Sequence, residues 1–482
     1  MYNKETYRRV SEWIDSHKEE MIQDISSLVK FPSISDPTEG NGPFGQACLD
    51  VLAAMLRMGE KYGFHTENYE NYVGSIGLKE KNWEDTIGFW NHLDVVPVGD
   101  GWDYEPFAPV RKGKYLIGRG SQDNKGPAVG ALYIMRCIRD LELPVKHELC
   151  LFVGCDEEKG MRDMEYYTSH YPTPAMSMIA DCGFPVCYGE KGIIEGQIRS
   201  EAACSDAIVS LSGGNAGNII PDEAVMTVKK EALSGEAVNR LKDKLKVEEQ
   251  DGLVRLVARG CAGHSAFPEG SLNAIRVLCD AVCGADFLKG KDKEILEALK
   301  VAVAGNYGEE SGIAYEDEVS GKLTCVGTVL RMKEGCAVLT FNIRYSITAD
   351  AEKIMSGLRD FWKTKGFIWE SERNSGPNYF DRSHPAVKKL TDIFNEITGL
   401  DMQPYVMGGG TYARKLPNAF GYGIGNMPGE DEEPYLELVS RGHGGAHGPD
   451  EALDCDRLTE AMKIYVMALL ELADVELKAP EK

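Results

Sequence analysis

"LCLFVGCDEEKG", residues 149–160, runs an apolar strand, Leu149 to Val153, straight into three consecutive carboxylates, Asp156, Glu157 and Glu158. Burying an unpaired carboxylate costs several kcal/mol or shifts its pKa until it neutralises. The cluster must therefore face water, meet positive charge or hold a metal. A solvated strand-to-helix loop, with an acid capping the next helix, satisfies the stretch taken alone. Its neighbours decide the matter. Upstream, "TIGFWNHLDVVPVGDGW" (86–102) is a β-rich run ending in a Gly/Pro loop, and "KGPAVGALYIMRCIRDLEL" (125–143) is an Ala-rich helix stopped before Pro144. Downstream, "AMSMIADC" (175–182) reads as another strand. Apolar strands alternating with helices predict an α/β fold with a mostly parallel sheet flanked by helices. Ligands in such folds collect beyond the C-terminal ends of the strands.

The flanking segments extend this pattern. Val10, Trp13, Ile14, Met21, Ile25, Leu28 and Val29 recur at helical spacing and predict one or two helices over 3–30; "QACLDVLAAMLRMGEKYG" (46–63) predicts another, ended by Gly63. After residue 191 the texture changes. "GIIEGQIRSEAACSDAIVSLSGG" (192–214) and "DEAVMTVKKEAL" (222–233) alternate like half-exposed strands. "SLNAIRVLCDAVCGADFL" (271–288) is helical, and "TCVGTVLRMKEGCAVLTFNIRYSI" (324–347) reads as two antiparallel strands around a turn. We therefore expect an α+β domain over 191–382, inserted into a discontinuous domain made of 1–190 and 383–482.

The chain has 482 residues, and at about 150 residues per domain this length allows two to four domains. Lys plus Arg number 53 and Asp plus Glu 76, giving a net charge of -23, a poor surface for nucleic-acid phosphates or anionic lipid. No nucleic-acid or membrane partner is expected. The 13 cysteines are scattered and form no CxxC, which suits small buried residues in a reducing compartment. The N-terminal stretch has no apolar run of signal-peptide length, and no run approaches the roughly 18 residues of a membrane span. A cytoplasmic location is the expectation.

Polar residues cluster where the strands end. His92 and Asp94 lie two apart in an extended run and can reach one site. Asp123 sits in the glycine-rich "GRGSQDNKGP", where it is either a helix cap or a ligand. Glu157 and Glu158 follow one strand and Asp181 another; "RGHGGAHGPDE" adds His443 and His447. Two histidines with a surplus of carboxylates suit zinc or manganese, and a dinuclear site needs about this many acids.

In order along the chain stand "HLDVVP", "GRGSQDNKGP", "GCDEEKG", "DCGFPVCYGEKG", "LSGGNAGNIIPDEA", "GHSAFPEGSLNAI", "GGGTYAR" and "HGPDE". With these eight motifs the sequence resembles the ArgE/DapE/carboxypeptidase family of dinuclear zinc metallopeptidases over nearly its whole length, and within it the PepV-type dipeptidases. The resemblance implies a zinc-peptidase-like catalytic domain with an inserted lid. It implies that His92, Asp123, Glu158, Asp181 and His447 bind two divalent metal ions, zinc foremost with manganese or cobalt compatible, and that Asp123 bridges them. Asp94 would orient His92, and Glu157 would be the general base. From the lid, His264 would donate to the oxyanion, and Asn218 and Arg344 would hold the substrate backbone and carboxylate. Gly409, Gly410 and Thr411 would line the carboxylate pocket from the catalytic side. Asp156 receives no role beyond a loop or cap residue.

The sequence departs from the family pattern in two places: Asn124 stands where related sequences commonly have a second Asp, in D-D-K-G, and His443 lies four residues before His447. His443 could compete with His447, but the H-x-P-D-E context favours His447. A long lid goes in the family with monomers that supply the lid histidine in cis, so a monomer is expected. The implied activity is hydrolysis of unblocked dipeptides by a water bridged between the metals. The alternative is an N-acyl-amino-acid deacylase using the same centre. A non-catalytic binding protein on the same fold would lack a base or a ligand, and here Glu157 and all five ligands are present.

Overall fold

The computed structural model describes residues 2–78, 82–424 and 438–478. The chain divides into two units. One is Met1–Gly189, Tyr379–Tyr405 and Thr411–Lys482; the other is Glu190–Asn378 and Val406–Gly410.

In the first unit, the strands of the central sheet follow the spatial order His65–Tyr69, Val73–Gly77, Glu148–Gly154, Thr86–His92, Met176–Ile179, Ala419–Tyr422 and Val186–Glu190. Glu148–Gly154, Thr86–His92, Met176–Ile179 and Ala419–Tyr422 are parallel; the strands beside them pair antiparallel. The sheet is thus mixed, with a parallel centre. All seven residues of Thr86–His92 are buried, as expected for a strand covered on both faces. Lys4–Val29 is a single helix, capped by Asn3, whose side chain accepts from the amides of Glu5 and Thr6. It packs with the helices Gly126–Asp140 and Cys455–Glu471, and Gly126–Asp140 lies on the two central strands. Gln46–Lys61 packs on Val73–Gly77.

The second unit is built on an eight-stranded antiparallel sheet. Gly192–Ser200 and Glu223–Lys229 alternate buried and partly exposed residues, the pattern of a sheet covered on one face. Helices Ala274–Ala285 and Ala351–Thr364 pack on its strands. Thr324–Lys333 and Cys336–Tyr345 form the hairpin read from the sequence, with a bulge between Gly327 and Val329. The grouping of Val406–Gly410 with this unit has local causes. Lys191 N donates to Met407 O, Arg344 Nη1 donates to Gly408 O, and a Cβ on Gly408 would lie 2.7 Å from Ala266 Cβ.

Candidate metal centre

Parallel register brings three strand ends to one edge of the first unit. His92 pairs with Gly154 and Trp90 with Ile179, so His92, the acidic loop after Gly154 and Asp181 emerge side by side. His92 is buried; its Nδ1 lies 3.0 Å from the Asp94 carbonyl and 3.4 Å from Asp94 Oδ1. With Nδ1 held by oxygen, Nε2 is the nitrogen turned toward Asp123 Oδ1 at 3.0 Å and Asp181 Oδ2 at 3.8 Å.

The other oxygen of Asp123 serves a second group. Asp123 Oδ2 lies 3.0 Å from His447 Nε2, which is also 3.0 Å from Glu158 Oε1. His92, Asp123 and Asp181 thus form one potential cation site and Asp123, Glu158 and His447 another; within each, one ligand atom per residue lies within 4.8 Å of the others. Asp123 belongs to both. The loop that carries it needs its glycines: Gly120 has φ 82, and a Cβ on Gly126 would sit 2.2 Å from Ser121 O. Buried Glu451 holds this loop, accepting from the amides of Gly120, Gln122 and Asp123 and from Arg119 Nη1. His447 has φ 64, a conformation that a non-glycine residue adopts at a cost and that recurs at functional positions.

The acidic loop that opened the sequence reading is pinned amide by amide. Cys155 N and Asp156 N donate to Asp163 Oδ2; Glu157 N donates to Asp94 Oδ1 and Glu158 N to Asp94 Oδ2. Asp156 turns away from the cluster. It accepts from Ser35 Oγ and takes Arg162 in a two-point grip, Nε at 2.6 Å and Nη2 at 2.5 Å. Glu157 Oε1 is buried with no hydrogen-bond partner among the described residues. His443 stands apart from both groups in a third set of possible ligands, its Nδ1 2.6 Å from Asp450 Oδ2 and 3.7 Å from Asp103 Oδ2.

The charges fit a cation. Burial pushes Glu157 and Glu158 above the usual carboxylate range and Asp181 up to about 8. Burial also opposes charge on Asp123, but hydrogen bonds from His447 and His92 hold it below the usual range. The same contacts with Asp123 and Glu158 push His447 up to about 11. Four clustered carboxylates that draw protons or imidazolium to themselves are a donor set suited to divalent ions, which replace those protons.

The remaining residues of the sequence reading divide between the units: Asn218, His264, Arg344, Gly409 and Gly410 belong to the second, Thr411 to the first. Within the second unit, Ile219 pairs with His264 and Ser265 N donates to Asn218 O, so Asn218 and His264 are neighbours. His264 Nδ1 accepts from Ala266 N at 3.2 Å, which puts the proton of the neutral ring on Nε2. Arg344, 6% exposed, donates from Nε to Asn342 Oδ1. Thr411 accepts from Ala413 N and starts the short helical turn that carries Tyr412, whose hydroxyl donates to Asp163 Oδ2. Sequence reasoning missed Glu451, Asp163, Tyr412 and Asn342. Glu451 and Tyr412 lay inside quoted motifs, but nothing in their spacing marked them.

A family model described as "Peptidase family M20/M25/M40" matches residues 88–471. A Bacillus subtilis (strain 168) protein named "Putative dipeptidase YtjP" is 32% identical over 476 residues, covering 95% of this chain and 98% of its own. Among solved structures, the Saccharomyces cerevisiae di-peptidase Dug1p aligns with a TM-score of 0.59 at 14% identity, covering 98% of this chain and 99% of its own. Human carnosine dipeptidase 1 aligns at 0.54 and 16% identity, covering 98% and 100%. These two likenesses speak to the fold. The family match covers most of the chain, including every proposed ligand, and the chain belongs to peptidase family M20/M25/M40.

Proposed function

We propose that this chain is a metal-dependent dipeptidase acting on unblocked dipeptides. The observation that carries the reading is Asp123, whose two oxygens serve two His–carboxylate groups beside Glu157, whose Oε1 is buried with no hydrogen-bond partner among the described residues. His92, Asp123 and Asp181 would hold one divalent ion and Asp123, Glu158 and His447 the other, with zinc foremost and manganese or cobalt compatible. Ions bound there supply Lewis acidity, which lowers the pKa of a water and stabilises charge on the reacting carbonyl.

Asp94 orients His92 and fixes the amides of Glu157 and Glu158. Glu157 takes a proton from the attacking water and returns it to the leaving amine. His264 donates from Nε2 to the carbonyl oxygen as it gains charge. Arg344 pairs with the substrate's C-terminal carboxylate, with Asn218, Gly409, Gly410 and Thr411 completing its pocket. The inserted domain of residues 191–382 serves as a lid, and a monomer supplies His264 in cis. Thirteen free cysteines support a cytoplasmic location, and no described helix is long and apolar enough to cross a membrane.

The test is hydrolysis after chelation and metal add-back, comparing an unblocked dipeptide, its N-acetylated form and a tripeptide. The free dipeptide should be cleaved only with metal restored, and Glu157→Ala should lose about 10²–10⁴ in rate while still binding metal. Preferential cleavage of the acetylated form would replace this reading with the deacylase. No cleavage with zinc, manganese or cobalt would end it.

A further inference from the structure

Ser265, Asn342 and Arg344 form a polar chain buried inside the second unit. Asn342 Oδ1 accepts two hydrogen bonds at 2.8 Å each, one from Ser265 Oγ and one from Arg344 Nε. Its Nδ2 donates to Glu195 Oε1 at 3.3 Å. Ser265 and Asn342 are both 0% exposed. Ser265 follows His264, and its amide is tied to the Asn218 carbonyl. Arg344 stands two residues beyond Asn342 on the strand Cys336–Tyr345, so the two side chains share a face.

A buried amide costs free energy unless its bonds are made, and a leucine of similar size would avoid that cost. What the amide adds is one oxygen with two lone pairs that holds donors from two separate elements. One donor carries the loop of His264; the other is Arg344 itself. Hydrogen-bond geometry tolerates only a few tenths of an ångström, so this oxygen sets the distance between the two elements. A third substrate residue would displace the C-terminal carboxylate by roughly 3.3–3.6 Å, far beyond that tolerance.

We infer that Asn342 is a positioning residue that sets the spacing between His264 and Arg344, and through it the length of peptide the enzyme accepts. The inference rests on the dipeptidase reading and on the roles that reading gives His264 and Arg344.

The experiment uses the metal-loaded protein and the variants Asn342→Leu, Asn342→Asp combined with Glu195→Gln, and Ser265→Ala. kcat and KM are measured for an unblocked dipeptide and for the tripeptide extended by one residue at its C-terminus. Asn342→Leu should raise KM for the dipeptide about tenfold or more, the scale of losing a hydrogen bond to a charged group. It should also lower kcat and shrink the preference for dipeptide over tripeptide. Asn342→Asp combined with Glu195→Gln keeps the accepting oxygen without setting two carboxylates against each other, and should restore KM and the preference to near wild type. Ser265→Ala frees only the His264 side and should lower kcat with little change in KM. The inference is overturned if Asn342→Leu, with wild-type melting temperature and metal content, keeps both constants and the preference, or if Asn342→Asp combined with Glu195→Gln is as impaired as the leucine. Should the leucine variant fail to fold, an unchanged kcat in Ser265→Ala overturns it instead. A wild-type protein that cleaves no dipeptide removes the dipeptidase reading first and this inference with it; a wild type that cleaves dipeptides while the variants are silent removes only this inference.

Discussion

Asn124 donates Nδ2–H to Asp181 Oδ1 at 2.8 Å and to the Ala180 carbonyl at 3.1 Å, while its own Oδ1 accepts from Asn91. Its amide therefore occupies one oxygen of Asp181 and leaves Oδ2 on the side of His92. A residue that orients a ligand in this way typically contributes 10–100-fold in metal affinity. On the proposal that two ions are held here, Asn124→Leu should weaken one of them by about that factor and leave the other unchanged, measured by chelator competition. Equal affinities in the variant and wild type would reduce Asn124 to a packing residue. This position also marks the limit of legibility at the residue scale. The sequence shows that an amide replaces an acid, which reads as one charge fewer, but the partner that gives the amide its use lies 57 residues away. Asp156 differs for a similar reason: its neighbours are carboxylates in sequence, whereas its partners in space are Ser35 and Arg162.

The loop of residues 155–158 behaves as an element although it has no regular structure. Two buried carboxylates, Asp94 and Asp163, take its four consecutive amides, and the hydroxyl of Tyr412 ties Asp163 to the segment after Gly410. Removing Asp163 would leave the amides of Cys155 and Asp156 buried without an acceptor, each at a cost of about 1–3 kcal/mol. Asp163→Ala should therefore lose roughly 2–6 kcal/mol of stability in urea unfolding, together with activity. A loss under about 1 kcal/mol, within the range of ordinary surface substitutions, would show that water replaces the carboxylate. Regular elements were legible because hydrophobic periodicity reports burial directly: all-apolar Leu149–Val153 became a central strand, and alternating 192–200 became a half-covered one. The excursion of Val406–Gly410 was not legible. No change of composition marks it, and what holds it are Lys191, Arg344 and Ala266, far away in sequence.

Across the whole molecule, the centre concentrates charge that folding alone does not neutralise. In the metal-free protein Asp181 is pushed up to about 8 by burial and His447 up to about 11 by Asp123 and Glu158, while Glu157 and Glu158 are raised by burial. In the unfolded chain the same groups titrate near their ordinary values, about 4 for carboxylates and 6.5 for histidine. Between pH 5 and 8 the folded metal-free protein thus binds more protons than the unfolded chain, and its stability falls as pH rises. Asp163, pushed up to about 7, acts with the same sign, whereas Asp123 is held low and changes charge only below this window. Divalent ions that take the place of those protons remove the dependence, and binding them releases protons. The chelated protein should lose melting temperature steadily from pH 5 to pH 8, and the reloaded protein should hold its own, so the gap between them widens with pH. The check is a pair of thermal melts at each pH with and without metal. A gap that stays constant or narrows toward pH 8 would mean that the clustered acids are neutralised by something other than a metal, and the two-ion assignment around Asp123 would fall with it.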